Sequence, residues 1–509
     1  MSDTSAGTAT TGDKNDERGP APTGGEAGAT AKNTAKGPDR STDKATPSAA
    51  IADFGIDTTS QTTGEALRAY VARVRGGEFG SLPALLGLVV LLVVFSALSD
   101  SFLTLGNIAN LLAQGTGTTI IAMGLVFVLL LGEIDLSAGT ASGVTASVMA
   151  LHLVRNGNLL SGMGTTVFYL FAAALVVAVV LALLLRVWIG AGLSAVALVI
   201  VLAGVPANPW VEMLLALCVG AAIGCITGFL VAKVGIPSFV VTLALFLAWG
   251  GVVLQFIGEG GTLGLRNDVL FAVANGNLST AASWALFVVA AGGYAAVVLT
   301  RHFSRLRKGL VAQPTTLVAV RVGAVVVLGA AATYLLTLNR SVSNVVTISG
   351  VPYVVPIVLV LLVIGTFVLD RTRYGRHIYA VGGNKEAARR AGINVTQIRM
   401  SVFVICSSVA ALGAIVYSSK VGSVDPNAGG GNTLLFAVGA AVIGGTSLFG
   451  GKGRIRDAVI GGAVLAIIQN GLGLLKQPAA VVSIVTGLVL LLAASVDALS
   501  RRRAAAAPR

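Results

Sequence analysis

Long apolar stretches follow one another through most of this chain, and they allow few folds. Fourteen runs are long enough to cross, or nearly cross, a hydrocarbon core about 30 Å thick. Because backbone groups find no water inside a bilayer, each run is expected to be helical. We predict an all-α polytopic membrane protein with about 12 to 14 transmembrane helices. The runs lie near residues 82–98, 107–131, 138–154, 167–186, 191–205, 210–232, 238–256, 283–300, 322–338, 353–369, 400–418, 434–449, 458–475 and 479–497.

Composition agrees with a membrane protein and excludes a soluble one. Hydrophobic residues make up 55% of the chain and charged residues 11%, and the mean hydropathy is +0.86. The net charge of +13 comes from short clusters beside apolar runs, where the positive-inside rule accounts for it better than nucleic-acid binding does. We therefore expect membrane lipid, and not nucleic acid, as the surrounding partner.

The charged clusters also predict an orientation. An even number of spans places both termini on one side, and with that side inside, most basic clusters become cytoplasmic. Arg155, Arg266, Arg340, Lys420 and Lys476 then fall outside. The expected location is a bacterial plasma membrane, with both termini cytoplasmic. The weakest spans are 107–131 and 191–205, which are interrupted by polar residues or glycines and are candidates for broken or re-entrant segments.

Three regions follow from this pattern. Residues 1–80 are too polar to bury a core and are expected to be a disordered cytoplasmic tail. Residues 81–497 form the transmembrane domain, and residues 498–509 form a basic cytoplasmic tail. No basic start leads into an apolar core, so we expect no cleavable signal peptide. Three cysteines and three histidines show no metal-ligand spacing, and no metal site is predicted.

A polar, basic segment interrupts the apolar pattern between residues 371 and 399, and we call it the cassette. Asn384 is a good helix N-cap and Gly392 a typical helix stop, which predicts a helix of about two turns from residue 385. Glu386 and Arg390 lie four residues apart and can pair in water, while Ala387, Ala388 and Ala391 gather on another side as a small flat face. The cassette is either a docking surface for a soluble partner or a solvated loop between two spans.

Two carboxylates, Glu133 and Asp135, lie at the junction of two apolar runs, where an unpaired charge is costly. They either line a polar pathway or latch a gate, or one of Asp135 and Ser137 caps the helix that follows. We call residues 131–137 the first junction. The pathway itself is expected to use side chains that form hydrogen bonds, with helix packing as the alternative for each. The candidates are Asn107, Asn110, Gln114, Thr242, Gln255, Gln469 and Asn470.

A second glycine-rich junction, residues 443–451, aligns with residues 131–139 through three matching pairs of residues, which indicates a possible internal repeat. Residues 450–453, Gly-Gly-Lys-Gly, lack the Ser or Thr that follows the lysine of a phosphate-binding loop, so a turn is expected there. Without a nucleotide motif, energy must come from a partner or an ion gradient.

The cassette, the Gly-Glu-Ile-Asp-Leu-Ser sequence at 132–137, the Gly-Ile-Pro-Ser-Phe-Val-Val-Thr-Leu sequence at 235–243 and the Gly-Gly-Thr-Ser-Leu-Phe-Gly-Gly sequence at 444–451 occur in a set order. Together they resemble the permeases of bacterial sugar ABC importers of the ribose, xylose and galactose type. The resemblance covers roughly residues 80–256 and 350–497. Additional apolar material near 167–205 and 281–338 is similar to the longer xylose branch.

This resemblance implies a permease fold, a permease dimer, two cytoplasmic ATPase subunits that bind ATP, and an extracellular sugar-binding protein. The permease would itself hold no cofactor and have no catalytic residues. Glu133 stands where the family commonly has glycine. The resemblance places the coupling element on Gly383, Asn384, Glu386, Ala387, Ala388, Arg390 and Gly392.

Two other functions remain open from sequence. A branched-chain amino acid ABC permease has a related architecture and differs in the solute that is delivered. A proton-coupled secondary transporter also needs many spans and intramembrane carboxylates such as Glu133 and Asp135, but it needs neither a docking cassette nor a partner ATPase.

Overall fold

A computed structural model describes residues 80–310, 312–341 and 347–506, together with Gly64, Glu65, Arg68 and Val71. The predicted disordered tail therefore lies almost wholly outside the described residues. The last helix continues to residue 506, past the expected boundary at 497.

Helices account for most of the described residues. In chain order they are α1 Leu82–Leu98, α2 Leu105–Gln114, α3 Thr116–Leu130, α4 Ala138–Val154, α5 Leu159–Met163, α6 Thr165–Leu184, α7 Trp188–Ala203, α8 Pro209–Phe229, a π-helical turn Leu230–Val234, α9 Ser238–Ile257, α10 Asp268–Asn275, α11 Thr280–Arg307, α12 Thr315–Thr337, α13 Val354–Arg371, α14 Arg373–Gly383, α15 Lys385–Arg390, α16 Val395–Val421, α17 Thr433–Gly444, α18 Ile455–Leu474 and α19 Ala479–Ala506. Two short strands, β1 Leu263–Gly264 and β2 Ser423–Val424, pair antiparallel.

The fourteen predicted apolar runs coincide with helices in the predicted order. Within the described residues, ten helical segments are long and apolar enough to cross a membrane, with α2 and α3 joined as one and α8 joined to its π-helical turn. The helices α1, α4, α7 and α17 are shorter apolar segments. These observations confirm an all-α polytopic membrane protein.

The two weak spans differ. The first is one membrane-long segment in which a single residue, Gly115, separates α2 from α3 while its backbone stays in the right-handed helical region. The second is the single helix α7, which continues through Gly192. It is capped at its C-terminal end by Gly204, whose backbone is in the left-handed conformation. Since nothing lies within 4 Å of an added Cβ at Gly192, that glycine is not required by packing.

Helix α16 lies at the centre of the bundle and packs against α8, α3 and α4. Its contact with α8 depends on Gly220, Gly224 and Gly228, whose four-residue spacing places them on one face of α8. An added Cβ would lie 2.6 Å from the Ser407 carbonyl oxygen at Gly220, and the same distance from the Phe403 carbonyl oxygen at Gly224. The backbones of α8 and α16 are therefore in direct contact.

We expect Gly224→Ala to destabilise the folded permease by about 1 to 3 kcal/mol, because the extra methyl group overpacks the contact between α8 and α16. Gly192→Ala, inside helix α7 with open space around it, is the matched control and should leave stability unchanged or slightly higher. Thermal unfolding in detergent measures both variants. Equal unfolding temperatures for the two would contradict the packing assigned to Gly224.

The peripheral helices differ from this centre. Helices α11 and α12 pack mainly on each other, and most of their apolar surface is exposed, as expected for helices that face lipid. Helices α6 and α7 pack against α8 on another side. The additional apolar material near 281–338 therefore forms a hairpin at the edge of the bundle.

Contacts place many basic residues at one end of the bundle, which we call the basic end. The side-chain amide of Gln397 donates to the Arg186 carbonyl oxygen at 3.0 Å, so the start of α16 and the end of α6 lie together. The backbone N–H of Gly451 donates to the Leu130 carbonyl oxygen at 2.9 Å, which brings both junctions to this end. The start of α2 lies at the opposite end, where an added Cβ at Gly106 would lie 4.0 Å from the Arg340 carbonyl oxygen.

Candidate functional site

The cassette forms two short helices at the basic end. The Asn384 side chain caps α15 by accepting from the Ala387 backbone N–H at 2.9 Å, and Gly392 follows the helix with φ of +81°. Both predicted helix boundaries are confirmed. Ala388 is buried against the bundle. The other coupling residues expected from sequence are exposed: Gly383, Asn384, Glu386, Ala387, Arg390 and Gly392.

One predicted contact in the cassette is wrong. Glu386 pairs with Arg389 at 2.9 Å, not with Arg390. The helix is only six residues long and ends in a tight turn, where the Gly392 N–H donates to the Arg389 carbonyl oxygen. In such a turn, side chains three residues apart lie above one another, which favours Arg389.

Glu133 joins the first junction to the cassette. Its Oε1 accepts from Lys385 Nζ at 2.7 Å and from Arg399 Nη2 at 2.8 Å, and its side chain is 6% exposed. Lys385 is the first residue of α15 and Arg399 lies in the second turn of α16. We call this three-residue cluster the latch, because one buried carboxylate connects the end of α3 with two elements of the basic end.

The charge state of the latch follows from its partners. Burial raises the pKa of Glu133, but the Lys385 hydrogen bond and the nearby Arg399 guanidinium outweigh burial and leave the pKa below its usual value of 4.5. A carboxylate with a lowered folded-state pKa stabilises the protein fully above its unfolded pKa and loses that contribution as the pH falls through the folded value. The latch is therefore ionised and intact at neutral pH.

Two side chains of α9 hold the first junction in place. Ser238 Oγ accepts from the Ile134 backbone N–H at 3.2 Å, and the Thr242 hydroxyl is shared between the Ser238 carbonyl oxygen at 2.8 Å and the Ile134 carbonyl oxygen at 3.1 Å. Both backbone groups of a non-helical residue are thus satisfied by α9. Thr242, a candidate path residue from sequence, is buried and bonded to this junction, so the structure gives it an anchoring position.

The first junction is irregular, with turns at residues 131–132 and 137 and no helix between α3 and α4. Ile134 contacts the start of α9 at Ser238, while Thr140 contacts Gly250, twelve residues further along α9. Twelve helical residues rise about 18 Å, so α4 begins well inside the bundle. Asp135 is fully buried in this segment, and its Oδ1 accepts from the Ser137 N–H at 3.0 Å and the Ser137 hydroxyl at 2.7 Å.

Asp135 thus supports the start of α4, as the helix-cap interpretation expected, whereas the Ser137 side chain makes no cap hydrogen bond to the helix. Glu133 instead pairs with Lys385 and Arg399. The two carboxylates of the first junction therefore have different surroundings, although they are two residues apart.

The second junction meets the first directly. An added Cβ at Gly450 would lie 2.8 Å from the Gly132 nitrogen, and one at Gly382 of the cassette would lie 1.9 Å from the Leu130 carbonyl oxygen. Tyr379 of α14 donates to the Gly453 carbonyl oxygen at 2.8 Å. The pKa of the Tyr379 phenol is raised to about 12, mainly because the side chain is buried. Both junctions and the cassette therefore form one packed unit.

The remaining path candidates lie at the opposite end. Asn107 and Asn470 exchange two side-chain amide hydrogen bonds of 2.9 Å, and Asn470 also donates to Gln114 Oε1 at 3.3 Å. Asn110 is exposed on the same helix as Asn107, and Gln469 is half-buried beside Asn470. Because about 23 helical residues, or roughly 35 Å, separate Asn107 from Leu130, the predicted path residues form two groups and not one site.

A buried pair that sequence reasoning missed lies between α4 and α8. His152 Nδ1 is 2.8 Å from Glu212 Oε1, and both side chains are fully buried. We expect His152→Ala to destabilise the protein by about 3 to 5 kcal/mol, because it leaves a buried carboxylate without its partner. Detergent unfolding temperature is the measurement, with His302→Ala, whose ring contacts Thr315 in the peripheral hairpin, as the control. A smaller loss for His152→Ala than for His302→Ala would contradict this role.

Sequence reasoning also missed Lys385, Arg399 and Ser238. The signal for the two cations was present, since a buried carboxylate at a junction requires nearby positive charge, but their 252- and 266-residue separations from Glu133 hid the pairing. Ser238 lies within the sequence motif at 235–243 that was noted without a structural role.

Comparisons with known proteins agree with this architecture. Residues 187–494 match the family described as branched-chain amino acid transport system / permease component. The chain is 32% identical over 422 residues to the xylose transport system permease protein XylH of Escherichia coli (strain K12), covering 82% of this chain and 91% of that protein. It is 31% identical over 424 residues to XylH of Haemophilus influenzae, covering 82% and 96% of the two chains.

A further relative is the ribose import permease protein RbsC of Escherichia coli (strain K12), at 28% identity over 414 residues, which covers 81% of this chain and 92% of that protein. No solved structure matches the chain. The family match covers more than half of the chain, and the relatives align with most of its length. The chain therefore belongs to the family of transport-system permease components.

Proposed function

We propose that the chain is the membrane-spanning subunit of an ATP-driven importer for a neutral monosaccharide, with xylose as the first candidate. The observation that carries the proposal is the latch, in which Glu133 connects an exposed cassette to the first junction. An exposed helix bonded to a gate-like segment is what a permease driven by an external motor requires. Xylose is favoured because the XylH relatives align over most of the chain.

Under this proposal the partners are two cytoplasmic ATPase subunits, a second copy of the permease and an extracellular sugar-binding protein. ATP is bound by the ATPase, and the permease holds no cofactor and catalyses no covalent step. We infer from the positive-inside rule that the basic end faces the cytoplasm of a bacterial cell, and we propose the same side for both termini. Membership in this permease family argues against a proton-coupled secondary transporter.

The mechanism follows from the packed unit at the basic end. Closure of the ATPase pair moves α15, and the latch transmits that movement to the first junction and hence to the start of α4. The irregular backbone at residues 133–136 lies outside α3 and α4, so a shift there breaks the hydrogen bonds between Ile134 and α9 but no series of helical hydrogen bonds. The spans then alternate access between the two sides.

A branched-chain amino acid is the second candidate substrate, because the family description names it. The test is ATP-dependent uptake into proteoliposomes that contain the permease, its ATPase and its binding protein, with labelled xylose, ribose and leucine compared. Uptake of xylose above ribose, and none of leucine, is the expected result. Uptake of leucine alone would replace the sugar assignment with the amino acid one.

A further inference from the structure

A non-helical loop of residues 425–432, between β2 and α17, is partly buried: Gly429 is buried, whereas Asn427, Gly431 and Asn432 are exposed. It rests directly on α4, because an added Cβ would lie 1.9 Å from the Ala428 carbonyl oxygen at Gly143 and 2.6 Å from the Gly429 carbonyl oxygen at Gly139. Irregular backbone at membrane depth is tolerated where protein covers it or where it lines a water-filled cavity. The loop is therefore expected to border either packed protein or a water-filled space.

A small cavity lies between this loop, α4 and α16, with a volume of about 20 Å³, enough for about one water molecule. Its apolar lining consists of Ile121, Ala146, Ala414, Val424 and Ala428, with the backbone of Gly143 and Gly429 beside them. Six polar side chains complete the lining. These polar residues are Ser142, Tyr417, Ser418, Ser423, Asp425 and Thr433.

The polar groups around the cavity are rich in hydrogen-bond acceptors. The hydroxyls of Ser142 and Ser418 donate to carbonyl oxygens of their own helices, at Gly139 and Ala414, both at 2.6 Å. Their oxygen lone pairs remain available to accept. Asp425 adds a carboxylate, which is an acceptor only, and its Oδ1 already accepts from the Asn427 N–H at 2.7 Å.

This chemistry suits a neutral polyol. A sugar offers several hydroxyl donors to the acceptors and an apolar ring face to Tyr417. No Lys, Arg or His is among these lining residues, so they offer no cation to the carboxylate of an amino acid, whereas Asp425 would accept from its ammonium group.

The cavity is also connected to the moving parts of the protein. Ser142 lies five residues after Ser137, where the first junction ends and α4 begins. Ala414 lies 15 residues beyond Arg399 on α16, about 22 Å from the latch. A shift of the first junction therefore moves one wall of the cavity relative to the other, because α4 and α16 supply opposite parts of its lining.

We propose that this cavity, widened when α4 moves against α16, is a transient binding site for a neutral monosaccharide during its passage through the permease. In the described conformation the space is closed to a sugar. Asp425, Ser142 and Ser418 accept hydrogen bonds from sugar hydroxyls, and Thr433 adds a further hydroxyl at the start of α17. This inference rests on the proposed import function.

The first test measures labelled xylose uptake and ATP hydrolysis together, in proteoliposomes with the complete transporter. Asp425→Asn and Thr433→Val are each expected to lower the xylose carried per ATP about tenfold, the effect of about 1.4 kcal/mol of lost hydrogen bonding. Ser147→Ala is the matched control, since Ser147 is a buried hydroxyl on α4 that bonds to its own helix and does not line the cavity. It should stay within about twofold of wild type.

The two proposals fail in different ways. If wild type shows no ATP-driven xylose uptake, the proposed function is wrong. If wild type transports and both lining variants carry as much xylose per ATP as wild type, the site is wrong and the function stands.

A second measurement avoids dependence on folding of the Asp425 variant. Ser418→Cys is treated with a small charged thiol reagent in the transporting complex, where the native cysteines Cys218, Cys225 and Cys406 are buried. Xylose is expected to slow labelling several-fold, and leucine should have no effect. Equal labelling rates with and without xylose would contradict the site.

Discussion

Replacing Glu133 with glutamine is expected to reduce ATP-driven uptake at least tenfold. Lys385 and Arg399 would lose the one carboxylate that binds both, and charge-assisted hydrogen bonds of this kind are worth about 1.5 to 3 kcal/mol. The cassette would still fold, because the Asn384 cap and the burial of Ala388 remain. The measurement is xylose uptake into proteoliposomes, with ATP hydrolysis recorded in the same samples.

A double-mutant cycle separates the latch from a general loss of stability. Lys385→Gln and Glu133→Gln are each measured alone and together, and contacting residues should show non-additive effects. Arg389→Gln is the control, since its partner Glu386 is exposed and that pair should contribute little. Additive effects of Glu133→Gln and Lys385→Gln on uptake would show that the latch does not couple the two elements.

Gly382→Ala is expected to abolish transport or prevent stable folding. The added methyl group would lie 1.9 Å from the Leu130 carbonyl oxygen, at the point where the cassette meets both junctions. Because the obstacle is backbone rather than a flexible side chain, the cassette must move away from the bundle. We expect a fall in unfolding temperature together with loss of uptake.

Its neighbour supplies a close control. Gly383 has no atom within 4 Å of an added Cβ and is exposed, so Gly383→Ala should leave the unfolding temperature unchanged. Purification in detergent followed by thermal unfolding compares the two single-methyl variants. If Gly382→Ala unfolds at the same temperature as Gly383→Ala, the close contact at Leu130 does not exist in the folded protein.

Much of the fold could be predicted from the sequence, because a bilayer constrains helices strongly. A run of about twenty apolar residues is expected to be helical inside a membrane, so the fourteen helices and their order could be predicted from the positions of the apolar runs. The interruption at Gly115 also followed, since the polar residues of that run indicated an irregular span.

The site could be predicted only in part. Asn384 and Gly392 mark helix boundaries through local chemistry, and the structure places both as expected. The partners of Glu133 depend on which helices are neighbours, which apolar periodicity does not determine. Asn107, Gln114 and Asn470 were predicted as path residues because their side chains form hydrogen bonds. Their position far from the first junction depends on the tertiary fold, which the sequence pattern does not give.

The loop at 425–432 illustrates the same limit. Its glycines and polar residues are typical of a connection at the membrane surface, whereas the structure places the loop against Gly139 and Gly143 of α4. No local pattern distinguishes a surface loop from one that enters the bundle. The only sequence feature that agrees with the observed position is the pair of glycines on α4, which have no side chain to keep the loop backbone away.

The most direct test of the account compares energy sources for uptake. Proteoliposomes that contain the permease, its ATPase and its binding protein are given labelled xylose, with either ATP inside or an imposed proton gradient, and wild type is measured beside Glu386→Arg. We predict that ATP drives uptake by wild type, that the gradient does not, and that Glu386→Arg loses ATP-driven uptake while remaining folded, because its exposed carboxylate is reversed at the docking surface. Uptake that ignores ATP and follows the proton gradient would contradict the account.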